Sequence, residues 1–167
     1  LARHMRRAGT AAKNFEIRLP SEDSIREAIS ALLTSEPQEL GRLRLLFSKE
    51  RFVAVHQSYS EITISAKLKT ADVGERVSSI SFKTFPYSHR TSLLYKAQSE
   101  GFDEIICINS GDEVTEGAVS NFIFHLNGDW VTTPLSAGVL PGVQRAIVIE
   151  RCGVMVKSLT RSDLSKV

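Results

Sequence analysis

Val114-Thr115-Glu116-Gly117-Ala118-Val119-Ser120-Asn121-Phe122-Ile123-Phe124 sets a glutamate at a turn and follows it with a strand expected from Asn121 to Leu126. Just upstream, Glu104-Ile105-Ile106-Cys107-Ile108-Asn109 reads as a second strand, closed by the turn signal Ser110-Gly111-Asp112. Downstream, Asn127-Gly128-Asp129 is a hairpin signal, because Asn-Gly accepts the positive φ angles of a two-residue β-turn. It joins the run to Trp130-Val131-Thr132-Thr133. Further upstream, Val77-Ser78-Ser79-Ile80-Ser81-Phe82 alternates as a strand and leads into Lys83-Thr84-Phe85. A lysine at a strand end, partly desolvated in a cleft, loses basicity and becomes a usable amine nucleophile. Most lysines are simply solvated, so Lys83 acquires meaning only from its company.

The rest of the chain supplies the frame. Residues 1–14 read as a basic amphipathic surface helix. Pro20 and Ser21 then open a second helix, with Glu22 and Asp23 in its first turn and Ile25, Ala28, Ile29, Leu32 and Leu33 on one face, ending near Ser35-Glu36-Pro37. Residues 42–48 and 51–57 are strand-like and joined by a hairpin at Lys49-Glu50. Ser58-Tyr59-Ser60 is a polar link and the expected domain boundary, so residues 1–57 form a small domain and residues 61–167 a larger one. Ile62-Thr63-Ile64-Ser65-Ala66 alternates as a strand, and a helix follows Lys83 and ends at Gly101. Pro134-Leu135-Ser136-Ala137-Gly138-Val139-Leu140-Pro141-Gly142-Val143-Gln144-Arg145 is a loop that opens into a helix over residues 146–151, before a strand at residues 154–157. The class is α+β. The chain starts inside a helix and stops just after a fresh helix start at Ser162-Asp163, so both ends read as cut.

Composition narrows the functions. With 21 basic and 19 acidic residues interspersed along 167, nothing forms the basic patch that nucleic acid requires. No run approaches the length of a membrane span, and no signal peptide is visible, so a cytoplasmic protein is expected. Cys107 and Cys152 each lie in an apolar run, which suits reduced core cysteines better than a disulfide. The four histidines lack metal-ligand spacing, and no Walker loop, GxGxxG or GxSxG is present.

Three features converge on one chemistry. Lys83 sits at a strand end, Glu116 at a turn before another strand, and residues 138–142 feed a helix N-terminus whose free amides and dipole suit a phosphate. A reactive amine, a carboxylate for a pyridine nitrogen and a phosphate anchor are what pyridoxal phosphate needs. Taken singly, Glu116 reads as a surface or capping carboxylate, and the Gly138-to-Gly142 loop as an ordinary turn.

The ordered set of Lys83-Thr84, Gly101-Phe102-Asp103-Glu104, the Glu116 stretch and the Thr133-to-Arg145 loop closely resembles the class IV aminotransferases, the fold type IV pyridoxal-phosphate enzymes. That family includes branched-chain and D-amino-acid aminotransferases and 4-amino-4-deoxychorismate lyases. The resemblance implies a partial small N-terminal domain and most of a larger domain with a barrel-like mixed sheet and flanking helices. It implies pyridoxal 5'-phosphate as cofactor, with Lys83 as the lysine that bonds it and Glu116 as the carboxylate at its ring nitrogen. Leu140 matches the leucine against the ring, and Val143 with Gln144 the pair whose amides hold the phosphate. Family transaminases usually carry threonine where Gln144 stands. Tyr87 matches a tyrosine lining the substrate pocket. A phosphate-clamping arginine is expected upstream of Leu1 and a further phosphate-binding hydroxyl beyond Val167.

The implied substrate is a small amine or amino acid, and the implied assembly a homodimer. The reading favoured is the lyase, in which 4-amino-4-deoxychorismate loses a proton and pyruvate to give 4-aminobenzoate. Ser120 stands where branched-chain enzymes often place an acidic residue. Amino-acid transamination is the alternative, and a non-catalytic α+β module that binds no cofactor is the reading from another class.

Overall fold

The computed structural model describes residues 1–74, 82–84 and 88–167. Tyr87, and the expected strand over residues 77–82 apart from Phe82, lie outside the described residues. Contacts divide the chain into two units, Leu1–Ile64 and Ser65–Val167. That division falls a few residues beyond the Ser58-Tyr59-Ser60 link. Among the described residues no helix is long and apolar enough to cross a membrane.

The first unit holds α1 (Ala2–Asn14), α2 (Glu22–Ser35), β1 (Gly41–Phe47) and β2 (Phe52–Ser58). Ser21 caps α2 as its sequence predicts: its backbone is extended and its hydroxyl accepts from Ser24 N at 3.1 Å, satisfying an amide that has no intrahelical acceptor. Ile25, the first apolar residue of the α2 face, is completely buried. β1 and β2 pair antiparallel with Phe47 opposite Phe52, and those rings stack at 5.1 Å beside the expected turn.

The second unit is built on β4 (Glu104–Ile108), which pairs in parallel with β3 (Leu68–Asp72). A parallel pair needs a long crossover, and α3 (Ser88–Ser99) lies within it. Because Glu104-Ile105-Ile106-Cys107-Ile108 is almost wholly apolar, β4 can be covered on both faces. Alternation sends Ile105 and Cys107 against Leu94 and Ala97 of α3 and against Ala118. Ile106 and Ile108 pack on the opposite side with Val114, Phe124, Leu126, Val131 and Leu159. β5 (Phe124–Leu126) and β6 (Asp129–Thr132) form the predicted hairpin, with Asn127 and Gly128 both at positive φ. β7 (Met155–Val156) then joins β6 in parallel, after α4 (Val143–Arg151). A capping box between Thr160 and Asp163 opens the last 3-10 turn, where a helix start was expected.

Several local expectations are corrected. Ile62-Thr63-Ile64-Ser65-Ala66 is not a strand: Ile62 and Ile64 are 77% and 79% exposed, and alternation without a partner ladder does not make one. The ladder with β4 is made instead by Leu68–Asp72, whose polar Lys69 and Thr70 hide it from a hydrophobic pattern. β5 begins at Phe124 rather than Asn121. α4 begins at Val143, ahead of residue 146, because Gly142 takes the extended N-cap conformation directly after Pro141. Cys107 is buried as expected, but Cys152 is exposed at the C-cap of α4.

The two-sided burial of β4 predicts a large cost for truncating it. Ile108→Ala should lower stability by about 2–5 kcal/mol, measured by urea unfolding, through lost burial and the cavity left behind.

Candidate active site

Backbone pairing beyond β4 places Glu116. Asn109 turns the chain: its Oδ1 accepts from Gly111 N at 2.9 Å and Glu113 N at 3.0 Å, while its Nδ2 donates to Ala137 O at 3.1 Å. The returning segment pairs with the end of β4 through an antiparallel bridge between Ile108 and Val114. Thr115 N donates to Cys107 O and Cys107 N to Glu116 O, both at 2.9 Å. Glu116 is thereby fixed beside the strand and is only 4% exposed.

The turn after Glu116 is built around a second carboxylate. Glu104 accepts from Ala118 N at 3.1 Å and Ser120 Oγ at 3.0 Å, while Gly117 N donates to Ser120 O at 2.8 Å. A Cβ on Gly117 would lie 2.3 Å from Ser120 Oγ and 2.9 Å from Glu104 Oε2, so a side chain there would displace the Ser120 hydroxyl and the Glu104 carboxylate from this turn.

The Glu116 side chain collects donors from three segments. Oε1 accepts from Arg90 Nη1, at the third position of α3. Oε2 accepts from Asn121 Nδ2 at 2.8 Å and from the Leu140 amide at 3.0 Å. Asn121 Nδ2 also reaches Leu140 O at 3.3 Å. Gly142 makes room for this arrangement, since a Cβ there would stand 1.8 Å from Asn121 Oδ1. A buried carboxylate is tolerated only when it is paired and hydrogen-bonded, and Glu116 is both.

Gly142 is also the N-cap of α4 and offers no side-chain cap; the first intrahelical bond runs from Ala146 N to Gly142 O at 3.0 Å. The amides of Val143, Gln144 and Arg145 therefore precede any intrahelical acceptor, at the positive end of the helix dipole. That combination suits an anion. Arg145 is buried, donates from Nη2 to Thr133 O at 2.7 Å, and leaves Nε as the buried side-chain atom without a partner among the described residues. Burial pushes its guanidinium below the usual range, against the pull of Glu116.

Of the residues expected at a site, Glu116 and Leu140 are joined directly, with half-buried Val143 and exposed Gln144 following in the first turn of α4. Lys83 is exposed, next to half-buried Phe82 and seven residues before Arg90. Arg90, Asn121 and Glu104 were not singled out by sequence. Asn121 carried a signal, lying five residues after Glu116 in the deciding stretch, whereas the contact from Arg90 depends wholly on how α3 docks. Among the described residues no cluster of histidine, cysteine and carboxylate groups suits a metal.

Two measurements check this geometry. Gly142→Ala should break the Asn121 latch and destabilise the protein by about 1–3 kcal/mol or more in thermal unfolding, as overpacking against a buried polar group does. The Cys107 thiol is pushed up to about 12, chiefly by burial, with Glu116 and Glu104 adding to the rise and Arg90 opposing it. At mildly alkaline pH a thiol reagent should then titrate Cys152 alone in the native protein and both cysteines in denaturant. Because its folded value lies above its unfolded one, the stability contributed by the neutral Cys107 is present below about pH 9 and is lost as pH rises toward 12.

Comparison with known proteins places this geometry. The family model for amino-transferase class IV matches residues 1–167. The fold matches that of a candidate 4-amino-4-deoxychorismate lyase of Legionella pneumophila at TM-score 0.85 and 21% identity, covering 98% of this chain and 69% of that one. It matches a candidate amino-acid aminotransferase of Mesorhizobium loti at TM-score 0.86 and 23% identity, over 99% and 82% of the two chains. A hypothetical aminotransferase of Mycobacterium tuberculosis in its PLP-bound form matches at TM-score 0.81 and 19% identity, over 97% and 67%. No curated protein matches the sequence. The fold is that of the fold type IV enzymes, and the chain belongs to the class IV aminotransferase family.

Proposed function

We propose that the protein is a pyridoxal-phosphate-dependent enzyme that acts as a 4-amino-4-deoxychorismate lyase, forming 4-aminobenzoate and pyruvate. The observation that carries this reading is the buried Glu116 carboxylate, held at Oε2 by Asn121 and Leu140 and, among the described residues, receiving a single donor at Oε1. The donor set fits the cofactor. A carboxylate oxygen with acceptor capacity left suits a ring N–H, and the uncapped start of α4 suits a phosphate. The cofactor supplies an electron sink for charge developing on the substrate carbon.

In this reading Glu116 accepts the hydrogen bond of the ring nitrogen, and the amides of Val143 and Gln144 hold the phosphate. Because the Gln144 side chain is exposed, the contact assigned to it is the backbone one. Leu140 packs against the ring, with its amide already committed to Glu116. Lys83 provides the amine that holds the cofactor and then serves as general base, taking the proton from the substrate carbon that bears the amine. Ser120, which stands before Asn121 in place of an acidic residue and donates to Glu104, favours the lyase or a D-amino-acid-type enzyme over a branched-chain aminotransferase. A homodimer belongs to the same reading and is measured by light scattering.

Added pyridoxal phosphate should give a visible-edge absorbance band that Lys83→Ala abolishes; a colourless wild-type protein would favour a module without cofactor. With 4-amino-4-deoxychorismate, release of 4-aminobenzoate and pyruvate should need no keto-acid acceptor. Conversion of amino acids with 2-oxoglutarate, and no 4-aminobenzoate, would replace the lyase with a transaminase.

A further inference from the structure

The geometry points to Arg90 as a positioning residue for the cofactor ring: by sharing the Glu116 carboxylate, its guanidinium weakens that carboxylate's hold on a proton at the ring nitrogen. This inference rests on the role proposed above for Glu116. Arg90 reaches Glu116 from the first turn of α3, with about a quarter of its side chain exposed (23%) against 5% for Glu116. An arginine cannot shed its charge to accommodate a neighbour, so the pairing is permanent across the working pH range.

Arg90 acts here by charge rather than by aiming the carboxylate. The orientation of Glu116 is already set at its other oxygen, by Asn121 Nδ2 at 2.8 Å and the Leu140 amide at 3.0 Å. Its backbone is set separately through Cys107. Removing Arg90 therefore leaves the carboxylate in place and changes what it must neutralise.

Among the described residues, the surrounding charges do not compensate. From α4, Arg145 is a second cation within electrostatic reach of Glu116. From β4, Cys107 is an uncharged thiol at neutral pH, with its ionisation pushed up to about 12. Glu104, also on β4, spends its carboxylate on the turn amides and on the Ser120 hydroxyl. Among the described residues, the Glu116 carboxylate thus faces two guanidiniums, Arg90 bonded to it and Arg145 within electrostatic reach, and a protonated ring would bring a third positive charge to it. A nearby like charge disfavours the charged form, so the ring nitrogen is held less firmly protonated than a lone glutamate would hold it.

The experiment uses pyridoxal phosphate labelled with ¹⁵N in the ring, bound to the protein, with the ring-nitrogen resonance followed against pH. Arg90→Gln should raise the pH of half-protonation by about one unit or more, equivalent to about a tenfold firmer hold on the proton. Arg90→Lys, which keeps the charge, should stay close to wild type, and Arg90→Met replaces the glutamine variant if circular dichroism shows that the latter is not folded. A midpoint unmoved by loss of the charge overturns the inference, and so does an equal shift with lysine. Wild-type protein that takes up no labelled cofactor overturns the reading of Glu116 itself, and the role of Arg90 with it.

Discussion

The buried carboxylate of Glu116 is the constraint that the second unit depends on. Taking Glu116 out of water costs several kcal/mol unless its oxygens are paired and hydrogen-bonded. The three donors come from α3, from the loop before β5 and from the segment leading into α4. Satisfying one side chain therefore ties together the start of two helices and a loop that are far apart in sequence. The apolar faces of β4 supply the burial that makes such a charge costly, and its backbone supplies the two hydrogen bonds that hold Glu116 against Cys107.

Two smaller devices keep this arrangement stiff, and each works by close approach. Glu104 gathers the amides and hydroxyl of the turn after Glu116, and Gly117 lets the backbone come near enough for it to do so. Asn121 sits against Gly142, which also frees the first amides of α4. A carboxylate acceptor and an amide-rich helix start are thus adjoining parts of one construction, with Leu140 as the hinge between them: its amide faces Glu116, and its carbonyl accepts from Gly142 N at 2.7 Å.

Much of this was legible in the sequence wherever a local rule governs. The Ser21 cap, the Asn127-Gly128 hairpin, the two-sided burial of β4 and the helix ending at Gly101 all follow from nearest-neighbour chemistry. Legibility failed where pairing partners decide the outcome. Ile62 and Ile64 alternate without a ladder to join, while Leu68–Asp72 finds one despite its polar residues. At the site, Glu116, Leu140, Val143 and Gln144 were expected together from the order of motifs, and the structure joins the Leu140 amide to Glu116 and puts Val143 and Gln144 in the first turn of α4. Arg90 was not, because a charge in the first turn of a helix looks like any solvated arginine until tertiary packing brings it onto a buried carboxylate.

The central claim is that Glu116 is organised to accept a hydrogen bond from a cofactor ring nitrogen. Its most direct test is the affinity of the protein for pyridoxal phosphate against the carbocyclic analogue in which the ring nitrogen is replaced by C–H, in wild type and in Glu116→Ala. A hydrogen bond to a charged group contributes about 1.5–3 kcal/mol, so wild type should prefer pyridoxal phosphate by about tenfold or more. The alanine variant should lose that preference. Equal affinity of the wild-type protein for the two molecules would contradict the assignment.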